Sequence, residues 1–352
     1  MKINEKRAES GMGVVAVLML VLSLLAPAVV AEDADGDWLY EVKLNDTIWD
    51  ICKNYVADKQ CWRKLVEYNQ IKTPKYLPPE SIVRIPKEWL KPSLAQALVI
   101  AVEGEVKVSR DGEEGDRDVN VGDKLSQLDV ITARNGSAMI KFADDSRLLL
   151  KPNSAVRMQG LRYYQRGGIA DTQIRLLRGR VKANVEKLKG LGSRFDIATP
   201  AAVAAVRGTE FRVGLEQQDG KNIMVTELLE GALQLENDQG SQSLEAGEAL
   251  RAVEGQQLQQ PVSLLPRPRL DFSGAEDVVL PYQLQWFAVE GASFYKVSLR
   301  KEGLLLWEET TTGEGFEIDL PDDGEYEIQV SAVDAQGFEG KGRRLRMAAG
   351  TD

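Results

Sequence analysis

Apolar positions change period along this chain. Tyr40 and Val42 alternate with polar neighbours, the pattern of a half-buried strand. Asn45-Asp46-Thr47 then reads as a turn and a helix N-cap, and Ile48, Ile51 and Cys52 follow at helical spacing. A second helix is predicted over residues 61–69, and Ser81-Ile82-Val83-Arg84-Ile85-Pro86 closes as a short strand. From Ala97 the period becomes two. Residues 99–108 alternate around Gly104, and Leu128-Asp129-Val130-Ile131-Thr132 and residues 136–142 repeat the pattern. Asp144-Asp145-Ser146 turns the chain back into Arg147-Leu148-Leu149-Leu150, and two more strands are predicted at residues 174–177 and 179–185. Many short strands with turn residues between them predict an all-β structure.

The ends and joints of the chain complete this reading. Lys2, Lys6 and Arg7 precede an apolar run over residues 14–25, and Val29-Val30-Ala31 offers small residues at the exit. This pattern predicts a secretory leader over residues 1–31, cleaved after Ala31; residues 13–31 could alternatively stay as an uncleaved anchor. Residues 87–93 read as a short linker, and residues 256–270, polar and proline-bearing, as a longer extended one. Beyond it, Leu284-Gln285-Trp286, residues 294–299 and residues 324–334 are strand-like, and Gly337-Phe338-Glu339-Gly340 is a hairpin before a last strand at residues 343–347. The fold expected is multidomain and mostly β: a small βααβ module at 38–90, an all-β domain at 97–255 and a β-sandwich at 271–348.

The first module resembles the LysM family, whose members grip N-acetylglucosamine polymers such as peptidoglycan. The residues that carry the likeness are the strand, the Asn45-Asp46-Thr47 cap, Tyr68-Asn69 and the closing Val83-Arg84-Ile85-Pro86. The middle region resembles FecR-type periplasmic domains. The matching stretches are Val121-Gly122-Asp123, Asp129-Val130-Ile131-Thr132, Asp144 to Leu148, and Thr199-Pro200 followed by Val206-Arg207-Gly208-Thr209-Glu210-Phe211. That resemblance implies stacked β-structure. Founding FecR proteins are signal transducers with a cytoplasmic helical part before a membrane span, whereas about twelve residues precede the apolar run here, so the fold and not the signalling role is carried over. Arg207, Gly208 and Thr209 are read as structural, with glycine at a tight turn. Gly167-Gly168 and Gly190-Leu191-Gly192 read as turns, since no strand-to-helix step follows them. The C-terminal region resembles a fibronectin type III-like sandwich, with Trp286 as core aromatic and Tyr326 at the corner entering the penultimate strand.

Charge and composition narrow the chemistry. The 352 residues carry a net charge of −10, which argues against nucleic acid as a partner. The charge is uneven: residues 157–212 hold twelve Lys/Arg against four Asp/Glu, while the stretch from 213 onward is strongly acidic. These charges serve as solvated strand faces, or as facing surfaces of the two β-domains. There is no histidine. Zinc hydrolases and imidazole-dependent nucleophilic enzymes lose an essential group by that absence, which leaves carboxylate-based glycosidase chemistry as the enzymatic alternative. No cofactor or metal is expected. The two cysteines, Cys52 and Cys61, read as a disulfide in an exported chain.

The leading expectation is a non-catalytic, exported, envelope-associated protein that binds peptidoglycan or a related polymer and offers its β-domains to a protein partner. A FecR-type sensor or regulator is the alternative. In the LysM family the ligand lies between two loops. Mapped here, the resemblance implies Asn45, Asp46, Thr47 and Ile48 on one side and Ile71, Lys72, Thr73 and Pro74 on the other. Trp49 and Trp62 are assigned to packing.

Overall fold

The computed structural model describes residues 37–349, apart from 92, 111, 165–168, 187–192, 207 and 272–280. The expectations for the leader 1–31, for the glycine turns at 167–168 and 190–192, and for Arg207 lie outside the described residues. Strand β1 (Trp38–Glu41) pairs antiparallel with β2 (Ile82–Ile85), and helices α1 (Ile48–Tyr55) and α2 (Cys61–Tyr68) lie between them in sequence. Both helices are too short to be stable alone and depend on an apolar stripe. Ile48 and Ile51 supply it on α1, Cys61 and Leu65 on α2, and all four are buried. Asn69 ties the end of α2 to β2: its side chain donates to the Leu65 and Arg84 carbonyls and accepts from Arg84 N.

Residues 87–93 are not a free linker. Lys87–Trp89 forms a short 3-10 helix, Leu90 is buried and bridges Val56, and Ser93–Leu94 pairs with Arg162–Tyr163. The module core also takes in Tyr164 and Ile169 from the next domain. The prolines that suggested separation leave the apolar Trp89 and Leu90 available to continue the module's core.

Past Ala97 the alternating residues become strands whose pairing runs in a closed circuit around one core. Val99, Ile131, Ile140, Leu148, Phe195 and Phe211 are wholly buried in it. Strand Ile169–Asn184 does most to knit the domain. Its first half pairs with Ser154–Tyr164 and, in parallel, with Arg194–Ala198; its second half pairs with Arg147–Leu150 and Glu210–Gln218. The partners change at Gly179, which has φ 78°. A Cβ there would sit 2.6 Å from the Asn153 carbonyl oxygen, so only glycine fits. The sequence suggested two strands, at residues 174–177 and 179–185; the structure has one continuous strand, Ile169–Asn184, that changes partners at Gly179.

The C-terminal region forms a three-stranded and a four-stranded sheet around Leu284, Val297, Leu299, Ile318, Ile328 and Val330. Trp286 is buried, and Tyr326, buried in strand Gly324–Asp334, hydrogen-bonds back to Asp322. Residues 256–270 were expected to be an extended linker. They are instead pinned: Leu258 enters the middle core, Val262–Ser263 pairs with Glu248–Ala249, and Leu270–Asp271 pairs with Gln285–Trp286. The apolar residues scattered among the prolines account for the difference.

Middle and C-terminal regions are docked. Leu149 packs with Leu304 and Leu305, and Phe338 packs with Ile223, Val225 and Ala249. Between these patches, Arg212 bonds Glu227 at 2.5 Å and Glu339 at 2.6 Å, and Glu339 also takes Lys296 at 3.2 Å. Lys151, itself buried, reaches Glu308 at 2.6 Å. Burial alone would raise the Glu339 carboxyl, but Arg212, Lys296, Lys151 and Arg180 outweigh it and hold it well below its ordinary value. The basic and acidic stretches of the sequence therefore meet in this seam. Its apolar flanks exclude water and strengthen the ion pairs between them.

Candidate functional site

The two expected loops lie side by side in the first module. Asn45 takes φ 70°, a left-handed conformation that asparagine tolerates, and so reverses the chain after β1. Asp46 then holds the turn: its carboxylate accepts from the Tyr40 hydroxyl at 2.5 Å and from Lys43 N at 2.8 Å. Burial, and then the bond to Asp46, push the Tyr40 phenol far above its ordinary value, so it stays a donor. Thr47 caps α1, with its Oγ1 accepting from Asp50 N at 3.3 Å. On the other side Gln70 is left-handed (φ 52°), and Ile71 N–H returns to the Val66 carbonyl at 2.9 Å, ending α2. Ile48 N–H points to the Pro74 carbonyl at 3.5 Å and links the two loops.

The eight residues divide by role. Ile48 is wholly buried and supports the loops from beneath. Asp46 and Thr47 are half-buried and committed to local hydrogen bonds. Ile71 and Pro74 are half-buried, and Asn45, Lys72 and Thr73 are exposed. Among the described residues, the backbone N–H groups of Asn45, Thr47, Lys72 and Thr73 donate to no protein acceptor. They are the available donors for a ligand carbonyl. Sequence reading missed two features of the rim: Leu44 and Tyr76 are 77% and 66% exposed beside the two loops. No pattern marked them, because a lone exposed apolar residue has no periodic signature.

The remaining sequence candidates have structural roles. Cys52 and Cys61 form a disulfide with a Cα–Cα distance of 5.7 Å, joining α1 to the first residue of α2. Trp49, 42% exposed, stacks on Trp62 with ring centres 5.7 Å apart. Gly208 has φ 72°, and Thr209 is buried just before strand Glu210–Gln218. Among the described residues no group of three or more His, Cys, Asp or Glu could hold a metal ion, and no helix is long and apolar enough to cross a membrane.

Residues 40–86 match the family model of the LysM domain, and residues 129–234 match that of the FecR protein. No curated protein matches the sequence. Two crystal structures of a candidate anti-sigma factor from Parabacteroides distasonis each align with 38% of the chain at 16% identity, with TM-scores of 0.30 and 0.31. The chain covers 57% and 59% of those two chains. The extracellular domain of a candidate hybrid two component system from B. thetaiotaomicron aligns over 79% of this chain and 64% of its own length, at 8% identity and a TM-score of 0.17. The chain therefore carries a LysM domain at residues 40–86 and a FecR-type β domain matched over residues 129–234.

Proposed function

We propose that this is a non-catalytic protein of the cell envelope that binds peptidoglycan, or a related N-acetylglucosamine polymer, through its LysM domain. The observation that carries the reading is the pair of loops joined at Ile48 and Pro74 within the matched residues, with unused N–H groups at Asn45, Thr47, Lys72 and Thr73. Such donors suit sugar acetamide carbonyls, and a shallow site of this kind holds ligand through backbone groups, with Ile48 bracing the loops from beneath. The β-domains, the C-terminal one read as fibronectin type III-like, act as a rigid scaffold and as a docking surface for an envelope protein. Export through the leader at 1–31 agrees with the disulfide.

A second reading, an envelope regulator or sensor, is favoured by the FecR match alone. Sedimentation of the full chain with purified peptidoglycan tests the first. Thr73 is exposed, so Thr73→Trp fills the groove without disturbing the core. The parent should sediment with the wall material and the variant should stay in solution. A parent that does not sediment, or a variant that binds like the parent, refutes the glycan reading. Digestion of the wall material by the chain would instead point to an enzyme.

A further inference from the structure

A second cleft, of about 280 Å³, opens at the seam between the FecR-type domain and the C-terminal region. Three parts of the chain bring its cations. The end of strand Ile169–Asn184 brings Lys182, the segment joining the two regions brings Arg267, the approach to the last strand brings Lys341, and the start of that strand brings Arg343 and Arg344. The acidic residues lining it are Glu210 and Glu230. Glu210 is already committed, to Lys182 at 2.6 Å and Arg344 at 3.2 Å. Arg267, Lys341 and Arg343 have no ion-pair partner among the described residues. Within a protein of net charge −10, the lining of this cleft has an excess of positive charge.

The wall of the cleft adds a neutral donor. Gln329 is 5% exposed and lines the cleft, and its Oε1 accepts from Arg300 at 2.7 Å. Its amide nitrogen donates to nothing among the described residues and is not sealed from solvent, so it is a donor open to the cleft. Gly342 makes room for it, since a Cβ there would lie 2.2 Å from that nitrogen. Burial also pushes the neighbouring Lys182 ammonium down to about 8, with Glu210 opposing the shift, so the site already bears an electrostatic cost. An anion would accept from this amide in place of water and offset the crowded cations.

We propose that this cleft binds a small oxyanion ligand, a phosphate or carboxylate group held by Arg267, Lys341, Arg343 and the Gln329 amide. Guanidinium groups match such oxyanions in a planar, two-pronged fashion. The site stands apart from the LysM loops and does not depend on the glycan reading.

Titration calorimetry on the full chain tests it, with two ligands in separate arms: inorganic phosphate, and a muramyl tripeptide with free carboxylates. Sodium chloride at matched ionic strength is the control. Saturable binding in either arm, absent with chloride, is expected, and the arm that binds tells phosphate from carboxylate. Arg267 and Arg343 are exposed, so Arg267→Gln with Arg343→Gln should leave the melting temperature unchanged and weaken binding by at least about tenfold. Glu230→Gln, which removes a carboxylate from the lining, should tighten it. Absence of saturable binding in both arms overturns the proposal, as does binding that survives the double substitution.

Discussion

Replacing Arg212 by methionine probes the seam most directly. The Arg212 side chain is 6% exposed, and its partners Glu227 and Glu339 are 1% and 3% exposed. Arg212 also donates to the Gly340 carbonyl at 3.0 Å. The substitution removes these bonds and leaves two buried carboxylates without their main cation. Breaking one partner out of a buried pair costs about 3–5 kcal/mol. Here Glu339 keeps Lys296 at 3.2 Å and Glu227 keeps Arg180 at 3.8 Å. The residual pairing places the expected loss near the lower end, about 3 kcal/mol. Urea denaturation of the full chain, followed by tryptophan fluorescence, reads it. Adding Glu227→Gln should recover at least about 1 kcal/mol, because one stranded charge disappears. A variant within about 1 kcal/mol of the parent refutes the argument that the pair is desolvated, since exposed pairs are worth no more than that.

Two further predictions follow from the disulfide and from Lys182. The Cys52–Cys61 bond closes a loop of sequence separation 9, so Cys52→Ser with Cys61→Ser should cost about 2–3 kcal/mol by the loop-entropy estimate; because Tyr164 and Ile169 share the module's core, hydrogen exchange should quicken at these two residues as well, and faster exchange confined to residues 38–90 would refute the shared core. Lys182 has its pKa lowered to about 8 from 10.5; between those values the unfolded chain holds a proton that the folded one has released, so this group's contribution to stability rises with pH across that window, and Lys182→Met should flatten the rise, whereas parallel pH–stability curves for variant and parent would count against it.

Local chemistry made the LysM module legible. Thr47 is a capping residue at the head of an apolar i, i+3 pair, and both parts of that signal concern neighbours in sequence. The strands of the middle domain were legible for the same reason, since alternation is a local property. Gly179 misled because a glycine inside an alternating run looks like a break, whereas a strand that changes partners needs one there. The segments 87–93 and 256–270 misled because proline and polarity hid single anchors such as Leu90 and Leu258. The seam could be foreseen only as two blocks of opposite charge. That Arg212 meets Glu339, 127 residues away, is a fact of tertiary packing that no local pattern encodes. The two loops proposed to take glycan were chosen by resemblance, while their division into buried support and exposed donors depends likewise on tertiary packing.

The strand Ile169–Asn184 joins two attachments that otherwise look unrelated. Ile169 at its start sits in the LysM core, and Lys182 near its end lies beside the C-terminal region. Its sixteen residues span about 50 Å at the rise of an extended chain. Neighbours flank it on both sides, and their hydrogen bonds lie mostly across its axis. A load applied at the LysM domain and resisted at the C-terminal end would pull along this strand. It would strain many of those bonds together, in shear, instead of unzipping them one at a time. The same strand that knits the β domain is thus built as a tether between the LysM domain and the C-terminal region.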